Sequence, residues 1–131
     1  MDINTPTNKR RTILVVDDEP DITSTLKISL EDNGFIVHAF NNPLLALENF
    51  RKRLYDLFIL DIKMPQMNGF QLYQKLREID AAIKVCFITA FEAYYRAVKE
   101  EFRDLDIKCF IKKPITCDGL IIRLKAELEI Q

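Results

Sequence analysis

Apolar residues along this chain follow two spacings that take turns. Thr12-Ile13-Leu14-Val15-Val16 is β-branched or apolar at every position, as a strand covered on both faces of a parallel sheet would be. It stops at Asp17-Asp18-Glu19-Pro20, after which Ile22, Leu26 and Leu30 recur every fourth residue. That spacing predicts an amphipathic helix, which Pro20 can open and Asn33-Gly34 can end. Residues 35–40 predict a short strand with His38 as a half-exposed edge residue. Asn42-Pro43 reads as the cap and first residue of a second helix carrying Leu44, Leu47, Phe50 and Leu54. Arg51-Lys52-Arg53 would then fall in its last turn, where cations complement the helix dipole.

The alternation continues. Leu57-Phe58-Ile59-Leu60 is a second unbroken apolar run, ended by Asp61. The loop 62–67 leads to Asn68-Gly69 and a helix with Leu72, Leu76 and Ile79. Residues 83–88 form a third run, ended by Thr89, and 92–103 read as a helix with Ala93, Ala97, Val98 and Phe102. The last strand spans 107–111 and ends at Lys112-Lys113-Pro114; Thr116 can cap a final helix through Leu120, Leu124 and Leu128. Five strand–helix alternations predict an α/β fold, a doubly wound five-stranded parallel sheet with five helices in three layers. Right-handed crossovers put the carboxyl end of every strand along one edge, and ligands of such sheets bind outside that edge.

Composition narrows the classes. The chain has 131 residues, 48% hydrophobic and 30% charged, enough for one good core. A net charge of −1 provides no global basic field for nucleic acid or an anionic membrane. Residues 1–11 are polar and lack an apolar signal segment, so they read as a disordered leader to a domain at 12–131. No apolar run is long enough for a membrane span. Cys86, Cys109 and Cys117 have no metal-type spacing and read as thiols in a reducing, cytoplasmic setting.

The sheet edge then gathers Asp17, Asp18, Asp61, Thr89 and Lys113. Two carboxylates about 4 Å apart repel by roughly 4 kcal/mol at an effective dielectric near 20, so such acids either diverge into solvent or converge on a cation. Taken alone, each residue has an ordinary explanation: acids at a helix N-terminus, a helix-capping threonine, a surface lysine. Together, three carboxylates, a hydroxyl and an ammonium are what a divalent cation and a phosphoryl group require. No Asp-x-Asp, nucleotide-binding glycine motif or P-loop points to a phosphatase or nucleotide enzyme.

On these residues the chain resembles the receiver domain of two-component response regulators, over nearly its whole length. The matching pieces are Val15-Val16-Asp17-Asp18-Glu19-Pro20, Leu60-Asp61-Ile62-Lys63-Met64-Pro65-Gln66-Met67-Asn68-Gly69, Thr89-Ala90 and Phe110-Ile111-Lys112-Lys113-Pro114. The resemblance implies a flavodoxin-like strand order of 2-1-3-4-5 and a signalling switch rather than an enzyme. Asp61 would accept a phosphoryl group from a sensor histidine kinase or phosphotransfer protein. Mg2+, or Mn2+ in its place, would be held by Asp18, Asp61 and the backbone carbonyl of Lys63, with Asp17 acting largely through water. Thr89 and Lys113 would contact the phosphoryl oxygens, Thr89 and Phe110 would form the switch, and the Lys113–Pro114 bond would be cis. The expected partners also include an unknown output protein and a second copy docked through the fourth helix, last strand and fifth helix. Neither nucleic acid nor membrane is expected to bind directly. The alternative is a receiver-like interaction module that never takes phosphate.

Two departures stand out. No glycine marks the turn in Glu101-Phe102-Arg103-Asp104-Leu105-Asp106, which leaves the register between Thr89 and Ile107 open. Lys63 and Phe91, two residues past Asp61 and Thr89, are large for positions that border the phosphoryl pocket in the family, and they are expected to hinder water. Phe91, Tyr94, Tyr95 and Phe102 are read as core and boundary residues, some of them on the family's output face.

Overall fold

The computed structural model describes residues 10–90, 92–101, 103 and 109–130. Strands β1 (Thr12–Val16), β2 (Ile36–Phe40), β3 (Leu57–Asp61), β4 (Val85–Thr89) and β5 (Cys109–Lys112) alternate with helices α1 (Pro20–Asp32), α2 (Pro43–Asn49), α3 (Gly69–Ile79), α4 (Glu92–Glu101) and α5 (Cys117–Glu127). The sheet is parallel, in the order β2-β1-β3-β4-β5. Among the described residues no helix is long and apolar enough to cross a membrane.

Strand alternation divides the core into two layers. Ile13, Val15, Leu57, Ile59, Cys86, Ile88, Cys109 and Ile111 face Leu26 and Leu30 of α1 and Leu120 and Leu124 of α5. Leu14, Val16, Phe58, Leu60 and Phe87 face Ala46 of α2 and Phe70, Leu72 and Leu76 of α3. Each fully buried side chain of this size contributes about 1.5–3 kcal/mol relative to exposure. Local chemistry sets the helix ends. Asn42 and Thr116 accept the first free N–H groups of α2 and α5. Asn68 and Gln71 form a reciprocal capping box on α3.

Four sequence expectations need correction. The second helix stops at Asn49, because Phe50 turns to an extended conformation and stacks its ring on Tyr55. Arg51, Lys52 and Arg53 therefore lie in the exposed loop beyond it and do not serve its dipole. Its inward face is Pro43 and Ala46, with Phe50 buried just past its end, while Leu44 and Leu54 are exposed. Finally, Cys86 and Cys109 are not separate thiols: they face each other in the β4–β5 register and are joined as a disulfide, leaving Cys117 free. Linear spacing cannot reveal that pairing, since it arises only when the two strands become neighbours.

Most other boundaries agree within two residues, and His38 is half-buried on the edge strand β2, bonded through Nδ1 to the Tyr55 hydroxyl at 2.7 Å. The fourth strand starts at Val85 and extends to Thr89 rather than running 83–88. Residues 1–9, 91, 102 and 104–108 lie outside the described residues, and with them most of the leader, Phe91, Phe102 and the start expected for the last strand.

Candidate functional site

Register decides which strand ends meet. Val16 pairs with Leu60, so Asp17 stands abreast of Asp61. Both continue the alternation of the α1/α5 side, as does Lys113 beyond Ile111. The backbone N–H of Lys113 donates to the Thr89 carbonyl at 2.8 Å, and the peptide bond to Pro114 is cis. From there the Lys113 ammonium donates to Asp17 Oδ2 at 2.7 Å and reaches Glu19 Oε1 at 3.5 Å and Asp61 Oδ1 at 3.7 Å. Lys112, one step earlier, is exposed, as alternation predicts.

Asp17, Asp18 and Asp61 each present a carboxylate oxygen within 4.8 Å of the others, so the acids converge. Asp17 is wholly buried and Asp61 is 5% exposed. Burial pushes the Asp61 carboxyl up to about 7, reinforced by the negative charges of Asp17 and Asp18 and only partly opposed by Lys113. Burial also raises Asp17, against hydrogen bonds from Lys113 and the Glu19 N–H. Burial alone would depress the Lys113 ammonium, but its bond to Asp17 and the charges of Asp61, Asp17 and Glu19 outweigh this and hold it above the ordinary lysine value. A group of clustered, hard, poorly solvated oxygens has the chemistry that suits Mg2+.

Above these groups a cleft of about 550 Å3 opens between Asp18, Glu19, Asp61, Lys63, Ala90 and Lys113, with Met64 and Pro65 as a wall. Thr89 ends β4 beside it, 1% exposed, and belongs to the strand rather than to a helix cap. Phe110 lies on the opposite layer, its ring stacked on Phe87 at 5.6 Å, with the Lys99 ammonium 5.8 Å from its centroid. The structure thus brings Asp18, Asp61, Lys63 and Lys113 to one cleft, with buried Asp17 bonded to Lys113, Thr89 ending the neighbouring strand and Phe110 in the opposite layer.

One contributor escaped the sequence reading, and a second was named there without its role. Asn41 donates to the Asp17 carbonyl at 2.9 Å and to Thr23 Oγ1 at 2.7 Å, tying the end of β2 to the acidic turn. It immediately follows a strand, so the rule that identified the acids would have found it. Gly69 sits against the backbone of Asp61, where a Cβ would collide with the Asp61 carbonyl oxygen. Its N–H donates to the Ile62 carbonyl at 2.8 Å, folding loop 62–68 back under the site. The sequence showed this glycine as a helix start and as part of the matching motif, without the close approach that requires it.

Comparison with known proteins agrees with this architecture. A family profile described as the response regulator receiver domain matches residues 13–125. The transcriptional regulatory protein CreB of Escherichia coli is 38% identical over 82 residues, which span 63% of this chain but only 36% of CreB. The non-phosphorylated HemR receiver domain from Leptospira biflexa superposes with a TM-score of 0.81 at 28% identity, covering 93% of this chain and 97% of that one. The response regulator TrrA from Thermotoga maritima, solved in complex with Mg(2+)-BeF, has a TM-score of 0.75 at 30% identity, covering 90% and 98% of the two chains.

Proposed function

This chain belongs to the response regulator receiver domain family, and from that premise we propose that it is a phosphorylation switch with Asp61 as its phosphoacceptor. The observation that carries the reading is Lys113, whose ammonium bridges Asp17 at 2.7 Å and Asp61 at 3.7 Å, beside a third carboxylate. An ionised Asp61 oxygen attacks the phosphorus of a phosphohistidine on a sensor kinase or phosphotransfer protein. The P–O bond forms as the P–N bond breaks, leaving an aspartyl phosphate and a free imidazole. Lys113 neutralises the transferred oxygens, and Thr89, at the end of β4, donates its hydroxyl to them. Asp18, Asp61 and the Lys63 backbone carbonyl would hold Mg2+ or Mn2+, with Asp17 acting largely through water, and the ion would supply the remaining positive charge.

The added phosphoryl charge then repositions Thr89 and Phe110, changing the surface offered to an output partner or to a second copy through α4, β5 and α5. Transfer and slow self-hydrolysis are the only chemistry in this reading, which places the domain in the cytoplasm, acting through proteins and without direct contact to nucleic acid or membrane. TrrA, which was solved with a metal–beryllofluoride complex, supplies the analogy for the probe. Adding Mg2+ with beryllofluoride or acetyl phosphate should produce a spectroscopic change in the wild-type protein, and Asp61→Asn should abolish it. A wild-type protein that stays unresponsive would leave the phosphate-independent interaction module in its place.

A further inference from the structure

At the opposite end of the sheet from the aspartates lies a second cluster of ligand-type atoms. Cys86 and Cys109 are register partners on β4 and β5, with Cα atoms 4.5 Å apart and side chains on the same face. Glu127 comes down on them from the last turn of α5, one turn beyond buried Leu124. The two sulfurs and a Glu127 carboxylate oxygen all lie within 4.8 Å of one another. We propose that Cys86, Cys109 and Glu127 form a soft-cation site of the zinc class, open when the two cysteines are reduced and closed when they are joined.

The chemistry of the donors favours this class. Two thiolates and one carboxylate make a three-ligand set for tetrahedral zinc, with a fourth position for water. Thiolates sharing a zinc stand about 3.8 Å apart, which register neighbours reach by rotating side chains. The surroundings complete the set. Ile111, Leu120 and Leu124 keep the sulfur side dry. The Arg123 guanidinium approaches Glu127 at 3.8 Å and the Lys84 ammonium bonds the Glu127 carbonyl at 3.3 Å, offsetting the negative charge of the ligands. A cavity of about 390 Å3 also reaches Glu127 past Lys84, Val85 and Ala126.

Occupancy is coupled to oxidation state. Two electrons and two protons convert the disulfide to two thiols, a donor dithiol being oxidised to its own disulfide in exchange. The cation then displaces both thiol protons as it binds. Oxidation by an acceptor disulfide runs the exchange backwards and leaves no thiolate to hold the metal.

Cadmium titration tests the site, since the sulfur-to-cadmium charge-transfer band reports thiolate ligation and ignores the aspartates. The protein would carry Cys117→Ser, be reduced with a phosphine, and be kept in excess Mg2+. One equivalent of Cd2+ should produce the band, Zn2+ should compete it away, and the oxidised protein should show none. Cys86→Ser and Cys109→Ser should each remove it. Glu127→Gln should weaken binding by at least about tenfold. Absence of the band in the reduced protein, or unchanged affinity in Glu127→Gln, overturns the proposal. The glutamate variant decides the question even if a buried serine prevents folding, because Glu127 is only half-buried.

Discussion

At the scale of single residues, Asp61 is held in a state that works against the metal-free fold. Its carboxyl lies at about 7, against an ordinary 3.8, because burial and two neighbouring acids disfavour its charge. The folded state therefore binds this proton more tightly than the unfolded chain does. Relative to a fully ionised site, the protonated group contributes stability below pH 3.8 that is lost as pH rises toward about 7, on the order of 4 kcal/mol. Raised Asp17 acts in the same direction, while Lys113, shifted upward, loses its contribution only above the usual lysine range. Melting curves in chelator should accordingly fall in temperature across that window. Asp61→Asn should melt higher than wild type and lose most of the pH dependence; a lower melting point would contradict the crowding. Lys63 lines the cleft beside Asp61. With Phe91, which lies outside the described residues, it is expected to hinder water, so trimming both to alanine should shorten the lifetime of the phosphorylated form, measured by loss of labelled phosphate.

At the scale of elements, two glycines have separable roles. Gly34 ends α1 with φ of 91°, and a Cβ there would meet nothing within 4 Å. Gly34→Ala should thus cost only the left-handed backbone penalty, about 1 kcal/mol in chemical denaturation, with the site undisturbed. Gly69 has the opposite character, since a Cβ there strikes the Asp61 carbonyl. Gly69→Ala should cost more than Gly34→Ala and also blunt the beryllofluoride response, because the loop must shift beneath Asp61. Equal costs with intact response would refute that distinction. Element ends were legible where a cap announces them, as at Asn42 and Thr116. They were not legible at Asn49, because Phe50 leaves the helix for an aromatic cluster with Tyr55 and Phe58 that no local pattern displays.

Taken whole, the molecule packs two core layers about one sheet and brings strand ends together at one edge. The acids of β1 and β3 and the lysine after β5 are far apart in sequence, and Lys113 reaches Asp17 across 96 residues. A ligand that binds only this assembled edge stabilises the whole fold: Mg2+ at about a hundred times its dissociation constant should add roughly 2.7 kcal/mol. Calorimetry with and without Mg2+ should show that increment, and it should be larger above pH 7 than below it, since the metal competes with the Asp61 proton near that value. An increment independent of pH would place the ion elsewhere.

The sequence by itself determined the strand–helix alternation, the two-sided burial of the central strands and the edge at which chemistry had to lie. Those are local consequences of side-chain period and of polar residues stopping apolar runs. Family resemblance supplied the roles expected of the acids and of Lys113. Tertiary structure alone decided how Lys113 divides its ammonium among three carboxylates, how high burial lifts Asp61, why Gly69 cannot carry a side chain, and that Cys86 and Cys109 meet. Each of these depends on distances between segments far apart in the chain. Such distances are set by strand order and register, which the spacing of residues within any one segment does not encode.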